Sequence, residues 1–465
     1  MRKRSSAGFL LCALAAFFFM CGCSGGPAPR QAPRGAADFF PEEDDVYAGV
    51  AYALSVGDPE KAIAALEEAR RRDPNSSETK QLYVDVLLVA GLFPEARAQI
   101  NEILEASPHD ENALYSLALL ESAEGKSVEQ RRTLNRILEI NPVSDKAQAA
   151  LGEVLLREKK FAEAEKLFDK SLEANPVNLV ALIGKGNAQL RQGKAEGAIK
   201  TLSRAVELEP SYPFAYVDRS RAFAEAGGIE AADEDVSRAI ELIPDFAWNY
   251  YDRGKLRANS GNPEGALADF NKALELEPDI PLAYLYRARI LDGMDKIEAA
   301  YADYKKAQGL NPRYQQIHLP LALIEYKTGK WGQAASSFIK AAEFEKNEPA
   351  YHLLAALCYK NSKNEKQAQD YLAKNMGRFS QGSLFYHMAR FYMQPSSDHF
   401  IVQQLTSEKD KTLRARMLFY VAAQYTLQNR ASSAMSYFSE AASEASRDHI
   451  ENRLALWELK KLEGK

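Results

Sequence analysis

The chain is 465 residues long, 26% of its residues are charged, and its formal net charge is −5 at pH 7. A mildly acidic chain without a block of basic residues is a poor candidate for nucleic-acid binding, so we expect no nucleic-acid partner. Only one of its four cysteines, Cys358, lies beyond residue 23, which excludes a framework of internal disulfides in the main part of the chain.

The first 23 residues have the pattern of an export signal. Three basic residues precede an apolar stretch that is too short to span a membrane as a helix. The stretch ends in the motif MCGC, which resembles a bacterial lipobox with Gly22 before the acceptor Cys23. We therefore predict a lipoprotein signal peptide at 1–22 and lipidation of Cys23. The alternative is a plain secretory leader that happens to contain cysteines.

Residues 23–42 form the next segment, which is rich in Gly, Pro and Ala. This composition predicts a flexible linker between the lipidated cysteine and the following domain. Two or more acyl chains on Cys23 would anchor the protein durably to a membrane. The predicted location is the cell envelope, on the periplasmic face or at the outer membrane.

A spacing of 34 residues organises the chain over 43–382. Eight prolines follow it without insertion or deletion: Pro74, Pro108, Pro142, Pro176, Pro210, Pro244, Pro278 and Pro312. With these prolines at position 32, units begin at residues 43, 77, 111, 145, 179, 213, 247, 281, 315 and 349. Position 20 is nearly always Ala and position 24 is always apolar, as the close crossing of two helices requires. The pattern predicts an all-α solenoid of ten helix pairs.

By this period and these residues, the chain resembles the tetratricopeptide repeat (TPR) family across 43–382. The resemblance implies a TPR α-solenoid, a right-handed superhelix of antiparallel helix pairs. The pattern weakens over 383–465, where we predict one or two degenerate units and a C-terminal capping helix at about 449–463. Together with the lipobox, this arrangement is similar to the NlpI-type envelope lipoproteins, which act as adaptors.

An Arg at position 7 and an Asp at position 23 occur together in three successive units. Other units replace both residues, for example with Leu151 and Leu167. Because the two positions lie on the two helices of one unit, we predict three structural ion pairs. These pairs are Arg219 with Asp235, Arg253 with Asp269, and Arg287 with Asp303.

In the TPR family the first helix of each unit lines a concave groove, through positions 2, 5, 9, 12 and 13. Here position 9 would align polar donors, with aromatic residues beside them. The predicted partner-binding residues are Asn187, Arg221, Lys255, Arg289, Phe214, Trp248, Tyr251 and Tyr286. Donors interleaved with aromatics suit an extended peptide or a partner helix that carries carboxylates. The alternative is a solvated charged face with aromatics packed between units.

No pattern in the chain indicates catalysis. The six histidines are scattered without metal-ligand spacing, and neither a Gly-rich phosphate loop nor a nucleophile elbow is present. We expect no enzyme activity, no metal and no cofactor. The predicted function is a membrane-anchored envelope adaptor that binds protein or peptide partners in its groove. The alternatives are a small-ligand accessory of periplasmic solute uptake and a homo-oligomer built through residues 383–414.

Overall fold

A computed structural model of the chain describes residues 46–394, 398–444 and 449–464. The predicted signal peptide, Cys23 and the linker lie outside these residues. All regular structure within them is helical, which confirms the all-α prediction. The helices form two compact bodies that meet in sequence between Pro278 and Asp279, and each body is described by itself below.

The first body, which ends at Pro278, consists of seven helix pairs. Its helices are α1 Val46–Ser55, α2 Pro59–Arg72, α3 Ser77–Val89, α4 Phe93–Ala106, α5 Glu111–Ala123, α6 Ser127–Ile140, α7 Asp145–Arg157, α8 Phe161–Ala174, α9 Leu179–Arg191, α10 Ala195–Leu208, α11 Pro213–Glu225, α12 Ile229–Leu242, α13 Ala247–Asn259 and α14 Pro263–Leu276. Odd-numbered helices are the first helices of their units and even-numbered helices are the second.

The second body begins at Asp279 and contains the remaining α-helices, with two short 3₁₀ helices at Gln315–Ile317 and Met376–Arg378. They are α15 Pro281–Gly293, α16 Ile297–Leu310, α17 His318–Lys327, α18 Trp331–Phe344, α19 Ala350–Asn361, α20 Glu365–Asn375, α21 Leu384–Met393, α22 Asp398–Ser407, α23 Lys411–Leu427, α24 Ala431–Glu444 and α25 Ile450–Glu463. The weakly patterned unit predicted at 383–414 is thus a pair of short helices, α21 and α22.

Capping side chains define where many of the helices begin. Asp58 Oδ1 accepts a hydrogen bond from the Lys61 backbone at 3.1 Å, and Pro59 takes the first helical position after it. Asn262 caps α14 in the same way. Such caps satisfy amide donors that the first turn of a helix leaves without partners. These two second helices therefore begin at residues suited to a helix start.

The short turn between the two helices of a unit contains one residue in the left-handed conformation, at position 15. Glycine occupies this position in most units, because it has no Cβ that would clash at positive φ. Lys159, Asp295 and Lys363 take the same conformation with φ near 60°. The turn geometry is thus kept even where the sequence places a less suitable residue there.

The recurring alanines at position 20 lie at the crossing of the two helices. They are fully buried in both bodies, for example Ala62 and Ala198 in the first and Ala300 in the second. Glycine replaces larger residues where an aromatic ring comes close: a Cβ on Gly184 would lie 2.3 Å from Phe168 Cζ. Small side chains recur at fixed positions of the unit because larger ones would clash where the helices cross.

The apolar cores of the two bodies are organised differently. In the first body, separate clusters join successive units, such as the one that contains Leu114, Leu134 and Ala147. In the second body, one large cluster runs from Ala322 to Ala455. The predicted capping helix α25 packs on α23 and α24 of the last unit and also contacts α17. It therefore covers the end of the last unit and also packs on an earlier unit of the second body.

Candidate partner-binding face

Polar side chains at position 9 bridge successive first helices of the first body. Asn187 Nδ2 donates to Asp218 Oδ2 at 2.9 Å, and Arg221 Nη2 lies 2.8 Å from Asp252 Oδ2. In each case a position-9 residue reaches position 6 of the next unit. We call the surface formed by positions 2, 5, 6 and 9 of the odd-numbered helices from α3 to α13 the first-helix face.

The structure uses two of the predicted donors internally. Arg221 pairs with Asp218 at 3.0 Å as well as with Asp252, although 53% of its side chain remains exposed. Burial raises the pKa of Asp218, and the Arg221 guanidinium and the Asn187 amide oppose that rise. Asn187 and Arg221 therefore compensate a buried carboxylate. A ligand carboxylate would have to compete with it for these donors.

The remaining two predicted cations are more available. Lys255 on α13 is exposed, and its ammonium makes no ion pair or hydrogen bond with any residue that the structure describes. In the second body, Arg289 is also exposed. Its guanidinium lies 5.6 Å from the centre of the Tyr286 ring and 3.5 Å from Gln316 Oε1. Lys255 is thus the cation on the first-helix face whose charge is not balanced by a neighbouring carboxylate.

The predicted aromatic residues divide into surface and core positions. Phe214 is half-buried beside the Phe246 ring, with 5.8 Å between centroids, and Trp248 packs edge-on to Tyr251 at 5.4 Å. Tyr251 itself is 6% exposed, and its ring contacts Phe270 in the core of its unit. The Trp248 Nε1 donor is buried without an acceptor among the described residues. Phe214 and Trp248 therefore remain candidates for ligand contact, whereas Tyr251 mainly packs the unit.

The sequence analysis missed an acidic part of the same face. Asp85 occupies position 9 of an earlier unit and accepts hydrogen bonds from Gln81 at 2.9 Å and Ser116 at 3.4 Å. Burial raises its pKa to about 6, against the effect of these bonds and of Lys146. The signal was present in the sequence, since the position-9 column read through all units would have included Asp85.

Glu153 is the second acidic residue at position 9. Its bridge is missing because position 6 of the next unit is Gly184, whose lack of a side chain makes room for Phe168. Burial raises the pKa of Glu153 to about 7, partly offset by Arg157. Burial, followed by the charges of Glu153 and other carboxylates, also raises the pKa of Tyr115. At position 9, the first-helix face is thus acidic in its early units and carries cations in the later ones.

The three Arg–Asp pairs are bidentate in the structure. Arg219 lies 2.8 and 2.7 Å from the two Asp235 oxygens, and the other two pairs have equivalent geometry. Arg219 and Arg253 also donate from Nη1 to a serine of the preceding unit, at 3.2 and 3.0 Å. These guanidinium groups are therefore committed to neighbouring helices, as a structural role requires.

Units without this Arg often use a second polar contact that sequence reasoning missed. Position 23 is then Thr or Ser, and its hydroxyl donates to Glu or Gln at position 11 of the first helix. The contacts are Thr133 to Glu121 at 2.8 Å, Thr201 to Gln189 at 2.9 Å and Ser337 to Glu325 at 2.7 Å. The paired change at positions 11 and 23 was visible in the sequence.

The described residues contain no arrangement that suggests catalysis. Within these ranges, no group of three or more His, Cys, Asp or Glu side chains is placed to hold a metal ion. Cys358 is fully buried, and burial raises the pKa of its thiol, so it packs as an apolar residue. None of the described helices is both long and apolar enough to cross a lipid bilayer.

Comparisons with known proteins concern the repeats. Family models described as tetratricopeptide repeat match residues 53–120, 115–178, 155–222 and 247–280. None of the curated proteins matches the chain significantly.

Three solved structures illustrate the similarity. MamA is 25% identical with a TM-score of 0.33, and the match covers 35% of this chain and 95% of MamA. YrrB, described as a TPR protein with an unusual peptide-binding site, is 24% identical with a TM-score of 0.33. The match covers 40% of this chain and 95% of YrrB. The Cut9–Hcn1 hetero-tetramer of APC/C is 18% identical with a TM-score of 0.49, and the match covers 67% of this chain and 62% of the solved chain.

Proposed function

The chain belongs to the tetratricopeptide repeat family over residues 53–222 and 247–280, and on this basis we propose that it is an adaptor that captures a segment of a protein partner on its first-helix face. Repeats of this family are protein-interaction modules, and solenoids use the extended surface of stacked helices to bind peptides and partner helices. The captured segment carries a carboxylate and an apolar side chain about 10 Å apart.

The observation that carries this proposal is the unbalanced charge of Lys255, which shares one face of α13 with Trp248 about 10 Å away along the helix. Lys255 is exposed without an ion pair to any described residue, and Trp248, seven residues earlier in α13, is half-buried. A partner carboxylate would pair with the Lys255 ammonium, and an apolar side chain of the same segment would pack on the Trp248 indole. Cation and aromatic contacts at one place are typical of residues that dominate binding energy.

Lys255 is also the position where binding and folding are separable. Removing Arg221 would leave Asp218 buried without its cation, so an Arg221 variant would lose stability together with any loss of binding. Lys255 makes no ion pair with a carboxylate of the described residues, so its replacement should leave the stability of the fold unchanged. The matched control is Lys272 on the second helix of the same unit, a lysine whose side chain is 40% exposed and lies 2.9 Å from Glu275.

The experiment places a photoreactive amino acid at Lys255 in the full chain and identifies the crosslinked partner. Recovery of that partner by Lys255→Ala and Lys272→Ala proteins is then compared. We expect Lys255→Ala to weaken binding about tenfold, as loss of one charge-assisted contact implies, and Lys272→Ala to bind as the wild type does. Equal recovery by both variants would place the binding site elsewhere.

We also propose that lipid on Cys23 holds the adaptor at a membrane of the cell envelope. The support is the motif MCGC after a short apolar stretch, with a Gly- and Pro-rich segment following it. Cys23→Ser should release the protein into the soluble fraction and abolish incorporation of a labelled fatty acid. Cys21→Ser is the control and should leave both unchanged. Labelling that survives Cys23→Ser would contradict the assignment.

A further inference from the structure

Two neighbouring units of the first body carry the same acid–cation pair in different states. Positions 6 and 9 of a first helix have the i,i+3 spacing at which an acid and a cation can pair on the helix surface. In α11 they do pair, because Arg221 Nη1 lies 3.0 Å from Asp218 Oδ1. In α13 the equivalent residues are Asp252 and Lys255, and the Lys255 ammonium makes no ion pair with any residue that the structure describes.

The two acids differ in the donor that reaches them from the preceding unit. Asp218 receives a neutral amide, because Asn187 Nδ2 on α9 donates to its Oδ2 at 2.9 Å. Asp252 receives a positive charge, because Arg221 Nη2 on α11 lies 2.8 Å from its Oδ2. A carboxylate held only by an amide still attracts the cation of its own helix, whereas one held by a guanidinium is largely compensated. An amide from the preceding unit thus goes together with a paired cation, and a guanidinium with an unpaired one.

Asp252 is the carboxylate that Lys255 would pair with if it were released. One turn further along α13 the residue is Asn259, and position 6 of the next unit is Tyr286, so the sequence provides no acid at either place. The Asp252 side chain is 26% exposed, which leaves it room to turn from Arg221 toward Lys255. The state of Lys255 therefore depends on which cation holds Asp252.

We propose that Arg221 is a positioning residue of the capture site: by holding Asp252 toward α11, it keeps the Lys255 ammonium available to a carboxylate of the partner. This inference rests on the proposed role of Lys255 and explains why that lysine carries an unbalanced charge. The Arg221 charge is itself shared by Asp218 and Asp252, so capture takes place at Lys255, where the series of bridges ends. Arg221→Asn reproduces in α13 the arrangement that Asn187 gives to α11, and Lys255 should then pair with Asp252.

The reactivity of the Lys255 amine measures its availability without any partner. The full-length wild type, Arg221→Asn and the double variant Arg221→Asn/Asp252→Asn are labelled with limiting acetic anhydride. Mass spectrometry then gives the labelled fraction at Lys255 relative to Lys272, whose pairing with Glu275 is the same in all three proteins. An ion pair favours the unreactive ammonium, so Lys255 should react about two- to fivefold more slowly in Arg221→Asn. In the double variant it should react as in the wild type.

The comparison of the two variants isolates Asp252 from any loss of stability. Both variants leave Asp218 without its guanidinium, and local unfolding would make Lys255 react faster rather than more slowly. Direct contact is tested with a water-soluble carbodiimide, which joins a carboxylate to an amine where the two groups touch. An isopeptide bond between Asp252 and Lys255 should form about two- to fivefold more often in Arg221→Asn than in the wild type.

The outcomes separate this inference from the proposed capture site. Equal labelling of Lys255 in the two variants would overturn the inference, because Asp252 would then play no part, and so would an unchanged yield of the isopeptide bond. Failure of the capture site looks different: labelling would follow the expected pattern, but Lys255→Ala would recover the crosslinked partner as well as the wild type does. If both hold, recovery of that partner falls in Arg221→Asn and returns in the double variant.

Discussion

Replacing Arg219 and Asp235 by leucine, singly and together, tests whether the repeated Arg–Asp pair is structural. The chain contains its own reference for the double replacement, because Leu151 and Leu167 occupy the same two positions two units earlier. Both of these leucines are half-buried between the helices of their unit. The double variant therefore imitates an arrangement that this fold already uses.

The size of the effect follows from the burial of the pair. Asp235 is 6% exposed and is held by two charge-assisted bonds of 2.8 and 2.7 Å, whereas 18% of the Arg219 side chain is exposed. Removing one member of a fully buried pair costs about 3–5 kcal/mol, and the partial exposure here reduces this to about 2–3 kcal/mol. Arg219→Leu should cost more than Asp235→Leu, because Arg219 keeps its bond to Ser203 and can reach solvent.

The double variant should unfold within about 1 kcal/mol of the wild type, since paired apolar residues replace a buried ion pair without large loss. The resulting interaction energy is about 3–5 kcal/mol, well above the additivity error of distant sites. Repeat arrays often unfold in parts, so amide exchange of α11 and α12 should be measured alongside the urea midpoint. A double variant that costs as much as the two singles combined would refute the reasoning.

Three further predictions concern packing, the turn and pH. Gly184→Ala should lower stability by about 1–3 kcal/mol because its Cβ would meet Phe168, whereas Gly309→Ala, in a helix with open space around it, should be neutral or stabilising in urea titrations. Lys159→Gly should raise stability by about 0.5–1 kcal/mol in the same assay, since Lys159 has a φ of 60°. The raised pKa of Glu153, about 7, means that the folded chain keeps a proton that the unfolded chain has lost, so stability falls as pH rises from about 4.5 to 7. Glu153→Gln should remove about 1–3 kcal/mol of this fall between thermal melts at pH 5 and pH 8, and an unchanged slope would contradict the assignment.

Much of the fold could be predicted because every unit repeats one environment. A buried Ala at position 20 or an Arg at position 7 recurs for the same steric or electrostatic reason, so ten copies in one chain serve as ten comparisons. The Arg–Asp pairs were predictable for this reason, since the change of one residue accompanied the change of the other. Helix starts such as Asp58 followed local rules of capping.

The candidate site was less predictable because it depends on which neighbour a side chain reaches. Asp218 and Asp252 were visible in the sequence, but only coordinates show that Arg221 spans both of them. The missing bridge at Glu153 depends on Gly184, which in turn is set by Phe168 in another helix. The contact between Arg453 and Asp292 has no periodic signal at all, since the two residues belong to segments of unrelated pattern.

The different cores of the two bodies have a consequence for biosynthesis. Each cluster of the first body needs only adjacent units, so helix pairs can assemble one after another while the ribosome is still translating the chain. The large cluster of the second body joins Ala322 to Leu454 and Ala455, which are translated much later. Its nascent apolar surface therefore stays uncovered until these later residues have emerged, and this is the stage at which a chaperone would be needed most.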